Sequence, residues 1–169
     1  MSDQQPDAAV LAANRTKLER VTNRHLQGTG PEDHLVVHSS DVHWLPEGHT
    51  GNPSRIGLLP DIPMKTSKIM RQVIPQAEAT DLQRHVHESV HYVLSGTGFS
   101  EIGTSTVEWG PGDFVYTPPW IWHRHYAHDV TDVEMLIIEN SRILDAMDAN
   151  QRESLGNVSF RDHFGDDVA

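Results

Sequence analysis

Alternating hydrophobic and polar positions in the second half of the chain predict a series of short β-strands. Such alternation, broken by clusters of turn-forming residues, is typical of half-buried strands. The strands expected on this basis cover 69–74, 85–94, 98–102, 107–109, 114–117 and 135–138. Turns rich in glycine and proline are expected at 96–98, 110–113 and 117–119. Short strands separated by such turns indicate an all-β sandwich or barrel.

The flanking segments have different patterns. Apolar residues recur with helical spacing between 7 and 26, which predicts a helix there. Ten glycines and prolines between Gly28 and Pro63 exclude a long regular element and predict an arm of short strands and turns. A short helix is expected over 141–152, and frayed chain over 165–169.

These patterns predict one structural domain with three parts. The parts are an N-terminal helix and arm over 1–63, a barrel core over 64–141, and a C-terminal helix and tail over 142–169. An exposed strand edge on a small barrel is a liability that pairing removes. We therefore expect a homodimer in which the N-terminal arm lies across a second subunit.

The composition of the chain restricts the classes of partner that it is expected to bind. The formal net charge of −11 argues against nucleic acid, because binding phosphates requires a basic face. No apolar run approaches the length that spans a bilayer, so no membrane association is expected. The polar, acidic N-terminus is unlike a signal peptide, which makes the cytoplasm the expected location. The absence of cysteine removes disulfides and thiolate metal ligands.

Histidine spacing is the main chemical feature of the chain. His85 and His87 are two residues apart in a predicted strand, so their side chains leave the same face, and His91 keeps the same parity. His123 follows a proline-rich turn. Apolar residues at 86, 90 and 94 suggest that this strand is buried on both faces.

A metal site explains these histidines better than ordinary packing does. With 12 histidines in 169 residues, some grouping by chance is expected. Several imidazoles in one apolar interior would nevertheless each leave a ring nitrogen unsatisfied unless they shared a partner. Imidazole is also the most common protein nitrogen ligand for transition metals. His91 is either a fourth ligand or a side chain that hydrogen-bonds to one.

Two motifs in this region resemble those of the cupin superfamily. The run His85-x-His87-x3-His91-x6-Gly98 is similar to the first motif, whose third ligand is usually glutamate. Gly112-x5-Pro118-x-Trp120-x2-His123 is similar to the second, and it resembles that of gentisate and hydroxynaphthoate ring-cleaving dioxygenases. The resemblance implies a jelly-roll β-barrel that holds one divalent metal with His85, His87, His91 and His123. The histidine at position 91 resembles that of all-histidine cupins, which include a zinc-dependent polyketide cyclase.

Three functions follow from this resemblance. The first is a non-heme iron(II) dioxygenase that uses O₂ to act on a hydroxylated aromatic or enolisable small molecule. The second is a non-redox cyclase, isomerase or lyase that uses zinc or another divalent metal, and the third is a non-catalytic small-molecule-binding cupin. Fe(II) is favoured by the second motif, whereas ligand type alone also admits Zn(II), Ni(II) or Mn(II).

The ligand set gives two further indications. Without a protein carboxylate, the +2 charge of the metal is uncompensated, which favours an anionic substrate. Four imidazoles leave two positions on a six-coordinate metal, whereas a chelating substrate plus O₂ needs three. That count favours the non-redox alternative.

Other residues are candidates for the pocket. His125 shares parity with His123, and is either a catalytic proton shuttle or a rim residue near His128. Arg71 is a candidate for binding a substrate carboxylate, with an exterior salt bridge as the alternative. Three aromatic residues around the second motif are candidates for a substrate-binding wall or for simple core packing: Tyr116, Trp120 and Trp122. Two phenylalanines are expected in the core: Phe99 and Phe114.

Overall fold

The structure of this protein, a computed structural model, describes residues 36–59, 62 and 64–165. The helix predicted within 7–26 lies outside the described residues, as do 166–169 of the expected tail. Among the described residues, no helix is long and apolar enough to cross a membrane.

Two antiparallel sheets make up the fold. The strands of the first sheet are β1 (His43–Trp44), β2 (Arg55–Leu58), β3 (Lys68–Ile74), β5 (Ser89–Ser95), β8 (Phe114–Thr117) and β10 (Val133–Glu139). Their order in the sheet is β1-β2-β3-β10-β5-β8. The strands of the second sheet are β4 (Gln83–His85), β6 (Gly98–Ile102), β7 (Ser105–Trp109), β9 (His123–Ala127) and β11 (Arg152–Ser154). Their order in the sheet is β11-β4-β9-β6-β7. The all-β prediction is therefore confirmed.

Two glycines shape the connection from β5, in the first sheet, to β6, in the second sheet. Gly96 has a φ of 79° in the turn between β5 and β6, a conformation that favours glycine. A Cβ atom on Gly98 would lie 2.0 Å from the carbonyl oxygen of Tyr126 and 2.4 Å from the ring of Trp109. Glycine at position 98 therefore allows β6 to approach β9 closely.

The interior is apolar at one end of the strands and polar at the other. The apolar core consists of Ile74, Val93, Trp109, Val115, Ala127, Val133 and Met135. Along the buried side of β10 the residues change from apolar Met135 to acidic Glu139. Along the buried side of β5 they change from apolar Val93 to polar His91 and Ser89. Because side chains alternate along a strand, these polar residues lie on the same inner face as the core. The candidate functional site lies at this polar end of the interior.

The predicted strand 85–94 is wrong as a single element. His85 ends β4 in the second sheet, β5 begins at Ser89 in the first sheet, and residues 86–88 form the bend between them. The expected burial on both faces is also wrong, since Leu94 is 45% exposed. Strand β5 instead buries one side only, because just its inner face meets the opposite sheet.

Other elements also differ from the sequence-based expectations. The helix expected over 141–152 is α1 (Ser141–Ala146), followed by turns and then β11. A second short helix, α2 (Phe160–Phe164), lies where no regular element was expected. Assigning Phe114 to the core was wrong, because it is 71% exposed on the outer side of β8. Phe99 is half-buried and stacks on Tyr126 at 4.5 Å between ring centroids.

Candidate metal centre

His85 and His123 are held in the same way. The Nδ1 of His85 donates a hydrogen bond to the carbonyl oxygen of His87, and that of His123 donates to the carbonyl oxygen of Ile121, each at 2.8 Å. These bonds leave both Nε2 atoms as the lone-pair nitrogens of neutral imidazoles. The Nε2 of His123 is buried with no hydrogen-bond partner among the described residues. The two ring centroids are 4.7 Å apart, so one partner between them is within reach of both.

Backbone contacts bring these two histidines together. The N–H of Trp120 donates to the carbonyl oxygen of His85 at 2.6 Å, which ties the turn before β9 to the end of β4. Trp120 has a φ of 58°, unusual for a residue with a side chain. Gln83 of β4 pairs with His123 of β9. The convergence of His85 and His123 therefore arises from contacts between strands.

Burial keeps these imidazoles neutral. Burial, followed by the nearby His87, lowers the pKa of His85 to about 4. Burial also lowers the pKa of His123 well below its ordinary value. A neutral ring nitrogen is the form that binds a metal.

His87 has a different environment. Its ring stacks on that of His85, with centroids 3.6 Å apart. Its Nδ1 lies 3.0 Å from Oδ1 of Asn150, and its Nε2 lies 3.2 Å from Oε2 of the buried Glu139. Burial is the largest single effect and would lower the pKa of His87, but the hydrogen bond and charge of Glu139, together with the hydrogen bond to Asn150, outweigh it and raise the pKa. Both ring nitrogens therefore have partners within the protein.

His91 and His125 lie beside each other in the interior, with ring centroids 4.4 Å apart. Burial, with a smaller effect of the neighbouring histidines, lowers the pKa of His91 to about 3. Its Nε2 lies 3.3 Å from Oγ of Ser89, and its Nδ1 is buried without a partner among the described residues. His91 is thus close to the other histidines without being held by a backbone carbonyl.

His125 is fully buried, whereas His128 is partly exposed and pairs with Glu108, so the two do not form a rim together. Ser100 Oγ accepts a hydrogen bond from Trp109 Nε1 at 2.8 Å and lies 2.7 Å from Nδ1 of His125. A serine hydroxyl that accepts from Trp109 can donate to Nδ1, which puts the ring proton of neutral His125 on Nε2. That Nε2 is buried with no partner among the described residues.

A cavity of about 400 Å³ opens onto three of these histidines, His85, His87 and His91. Its wall also contains Gln72 and Glu139, and two basic residues, Lys68 and Arg152, line it. His123 and His125 are fully buried and do not line this cavity. The volume is within the range of small-molecule sites, about 300–1,000 Å³.

Sequence reasoning missed the other polar residues of this cavity, although strand parity could have found two of them. Glu139 has the same parity as the buried Met135 and Ile137, and Gln72 has the same parity as Ile74. Arg152 is opposite His85 in the ladder between β11 and β4. No pattern predicted β11, so nothing in the sequence indicated Arg152.

The structure does not bring the predicted substrate-binding residues to this cavity. Arg71 points away from it, pairs with Glu134, and lies 5.5 Å from the ring of Trp44. Tyr116 is 49% exposed and donates to Glu88. Trp120 and Trp122 instead contact the guanidinium of Arg84, at 4.5 and 4.7 Å from their ring centroids.

The donor set fits a metal in part. Within the described ranges, no three histidine or acidic side chains already have metal–ligand spacing around one point. However, His85 and His123 present neutral, carbonyl-oriented imidazoles, and the Nε2 of His123 is buried without a partner. His87 would bind the same metal only if its Nε2 gave up its direct contact with Oε2 of Glu139. The chemistry of these donors suits zinc, iron, nickel or copper.

Comparison with known proteins agrees with the two-motif resemblance. Residues 70–139 match the family model described as a cupin domain. The sequence is 35% identical over 78 residues to 5-aminosalicylate 1,2-dioxygenase from a Comamonas species. That match covers 46% of this chain but only 20% of the relative, so the chain spans a small part of the dioxygenase it resembles.

Solved structures share the fold at low identity. Salicylate 1,2-dioxygenase from Pseudoaminobacter salicylatoxidans, as its adduct with gentisate, superposes with a TM-score of 0.55 and 15% identity. The superposition covers 82% of this chain and 35% of that one. The polyketide cyclase RemF from Streptomyces resistomycificus gives 0.54 and 21%, covering 62% and 77%. These similarities show the fold, which is an all-β cupin jelly roll.

Proposed function

We propose that this cupin-fold protein is a metal-dependent enzyme, and that its reaction is the iron(II)-dependent oxidation of a small hydroxylated aromatic or enolisable anion by O₂. Support for a metal comes chiefly from His85 and His123, whose Nδ1–H groups are held by backbone carbonyls. Support for the reaction class comes from a sequence relative, 5-aminosalicylate 1,2-dioxygenase.

The proposed ligands are His85, His87 and His123, with His91 either as a fourth ligand or as a side chain in contact with one. A bound divalent metal would supply Lewis acidity, and iron would also supply redox chemistry with O₂. The carbonyl hydrogen bonds keep the ring orientation and tautomer of His85 and His123 fixed. Their low pKa values keep both rings neutral at physiological pH.

Substrate binding is proposed to depend on the polar wall of the cavity. Lys68 and Arg152 line it with side chains 37% and 48% exposed, and these two cations are the groups proposed to bind an entering carboxylate. The lining also includes three carboxylates, Asp81, Glu139 and Asp145. Arg152 is already held by Asp81 and Gln83, at 2.5 and 2.7 Å, which fixes its guanidinium beside β4. Arg152, rather than Arg71, is therefore the residue proposed to bind the substrate carboxylate.

Two more groups are proposed to contact the substrate. The Oε1 of Gln72 is buried in the cavity wall without a partner among the described residues, so it can accept a hydrogen bond from a substrate hydroxyl. His125 is proposed to donate or relay a proton through its Nε2, acting by way of the neighbouring His91. The serine beneath it, Ser100, holds the ring in place.

Metal analysis combined with an oxygen electrode tests this proposal. Protein purified without added metal is analysed for metal content, loaded with iron(II), and screened with dihydroxybenzoates and β-diketones. We expect O₂ consumption with at least one of these substrates. An iron-loaded protein that consumes no O₂ but turns over a substrate anaerobically would overturn the dioxygenase assignment.

A non-redox reaction on zinc or another divalent metal is the second candidate. The observation that favours it is the number of imidazoles around the site, since four ligands leave only two positions for substrate and O₂. The same anaerobic assay with zinc-loaded protein tests for a cyclase, isomerase or lyase. Ligand binding without turnover under any of these conditions would indicate a non-catalytic binding protein.

Arg152→Gln tests the substrate site. Losing a charge-assisted hydrogen bond costs about 1.5–3 kcal/mol, so we expect KM to rise roughly 10- to 100-fold with little change in kcat. Arg84→Gln is the matched control, because Arg84 lies against Trp120 and Trp122 and does not line the cavity. An unchanged KM in the Arg152 variant would remove this residue from the substrate site.

A further inference from the structure

Glu139 is a buried carboxylate beside the proposed metal ligands. It is the last residue of β10 and continues the inward-facing series of Met135 and Ile137. Only 8% of the residue is exposed, and it lines the same cavity as His85, His87 and His91. The ladder places it opposite Ser89, at the polar end of the barrel interior.

The contacts of Glu139 offset the cost of its burial. Its Oε1 accepts a hydrogen bond from Oγ of Ser141 at 2.6 Å and lies 3.8 Å from Nζ of Lys68. Its Oε2 lies 3.2 Å from Nε2 of His87. A buried carboxylate is costly unless positive charge and hydrogen bonds compensate for it. A metal bound by His87 would maintain that compensation, because it would bring positive charge to the same carboxylate.

The position of Oε2 places the carboxylate next to any metal that His87 binds. Because Asn150 holds Nδ1 of His87, Nε2 is the nitrogen available to a metal. A metal on Nε2 would be about 2.0–2.1 Å from it. It would then occupy the space between Nε2 and an oxygen that now lies 3.2 Å away. Carboxylate oxygen is a ligand that zinc and iron(II) accept.

We propose that Glu139 is a metal ligand that acts together with His85, His87 and His123. This inference rests on the proposed metal site. The carboxylate comes from β10, whereas position 91 of the first motif, where glutamate is usual, holds a histidine. His91 is then a side chain packed on His125 rather than a ligand. One protein carboxylate lowers the net charge of the loaded site from +2 to +1.

Zinc affinity of the metal-free protein tests this role without reference to turnover. Wild type and three variants compete with a chromophoric chelator for zinc at pH 7. Glu139→Gln should weaken zinc binding by at least about 100-fold, beyond the effect of disturbing a group that only orients a ligand. Asn150→Ala removes the other hydrogen bond of His87 and should cost about 10-fold. Glu134→Gln, on the same strand but paired with Arg71 outside the cavity, should bind zinc as wild type does.

A crystal structure of the zinc-loaded wild type gives an independent readout that does not depend on the folding of a variant. We expect an oxygen of Glu139 at about 2.0–2.2 Å from zinc. A carboxylate that remains beyond about 3 Å, outside bonding distance, or a Glu139→Gln variant that loses no more affinity than Asn150→Ala, would overturn the ligand role alone. Wild type that binds no zinc would overturn the proposed metal site, and this inference with it.

Discussion

Acidification should destabilise the metal-free protein, because histidines buried in the barrel resist protonation. An unfolded histidine takes up a proton near pH 6.5. In the folded protein, burial and the neighbouring His87 lower the pKa of His85 to about 4, and burial lowers that of His91 to about 3. Between these values the unfolded chain binds more protons than the folded chain, so the free energy of unfolding falls as the pH falls.

The size of the effect follows from the two pKa values. Each pH unit below the unfolded pKa costs about 1.4 kcal/mol per group, so at pH 5 His85 and His91 each remove roughly 2 kcal/mol. Burial shifts the pKa values of His123 and His125 in the same direction. His87 acts in the opposite direction, since burial is outweighed by the combined effects of Glu139 and Asn150, which raise its pKa. The roughly 4 kcal/mol from His85 and His91 alone is a large part of a typical stability of about 5–15 kcal/mol.

Urea unfolding in the presence of a chelator, followed by tryptophan fluorescence at pH 7, 6 and 5, measures this loss. His91→Leu removes one titrating group and should reduce the loss between pH 7 and pH 5 by roughly 2 kcal/mol. His128→Gln, on a partly exposed side chain, is the control and should keep the full loss. A free energy of unfolding that changes by less than about 1 kcal/mol over this range would contradict the linkage argument.

Four further predictions concern the site, the assembly and the fold. His85→Ala or His87→Ala should abolish tight metal binding in a chelator competition, and a variant that keeps one full equivalent would show that the ligand assignment is wrong. His91→Ala should retain metal and keep or raise O₂ consumption if position 91 is not a required ligand; a loss of about 10- to 100-fold in metal affinity would instead favour a fixed four-histidine cage. Deleting residues 1–50 should weaken the predicted homodimer in sedimentation at micromolar concentration, whereas a wild type that is already monomeric would reject it. Gly98→Ala should lower the free energy of unfolding by about 3 kcal/mol or more, because its Cβ would lie 2.0 Å from a backbone oxygen; an unchanged thermal midpoint would contradict the close approach.

Local features of the sequence predicted several elements accurately. Strands 98–102 and 114–117 have the expected bounds, because glycine and proline mark both ends of each. The motif spacing also selected His85, His87, His91 and His123 from the 12 histidines, and these four lie close together in the structure. The roles of these residues at a metal remain predictions.

Longer-range features were not predictable in the same way. The run 85–94 has the alternation of apolar and polar residues expected for a single strand, yet its two ends belong to different sheets. Whether a strand continues depends on its pairing partners, and these are distant in sequence. Strand β9, which was not among the predicted strands, also depends on pairing with distant strands. The outward position of Phe114 likewise depends on which face of β8 meets the opposite sheet.

The sequence alone determined the strand-rich character of the chain, its main turns and the set of histidines, because these depend on side-chain periodicity and short motif spacing. Only the tertiary structure decided which face of each strand is interior. It placed Gln72 rather than Arg71 in the cavity, and it brought Glu139 to His87, 52 residues earlier. It also brought Asn150 to His87 across 63 residues. Such contacts form when the two sheets close over a shared core, and no local pattern encodes that closure.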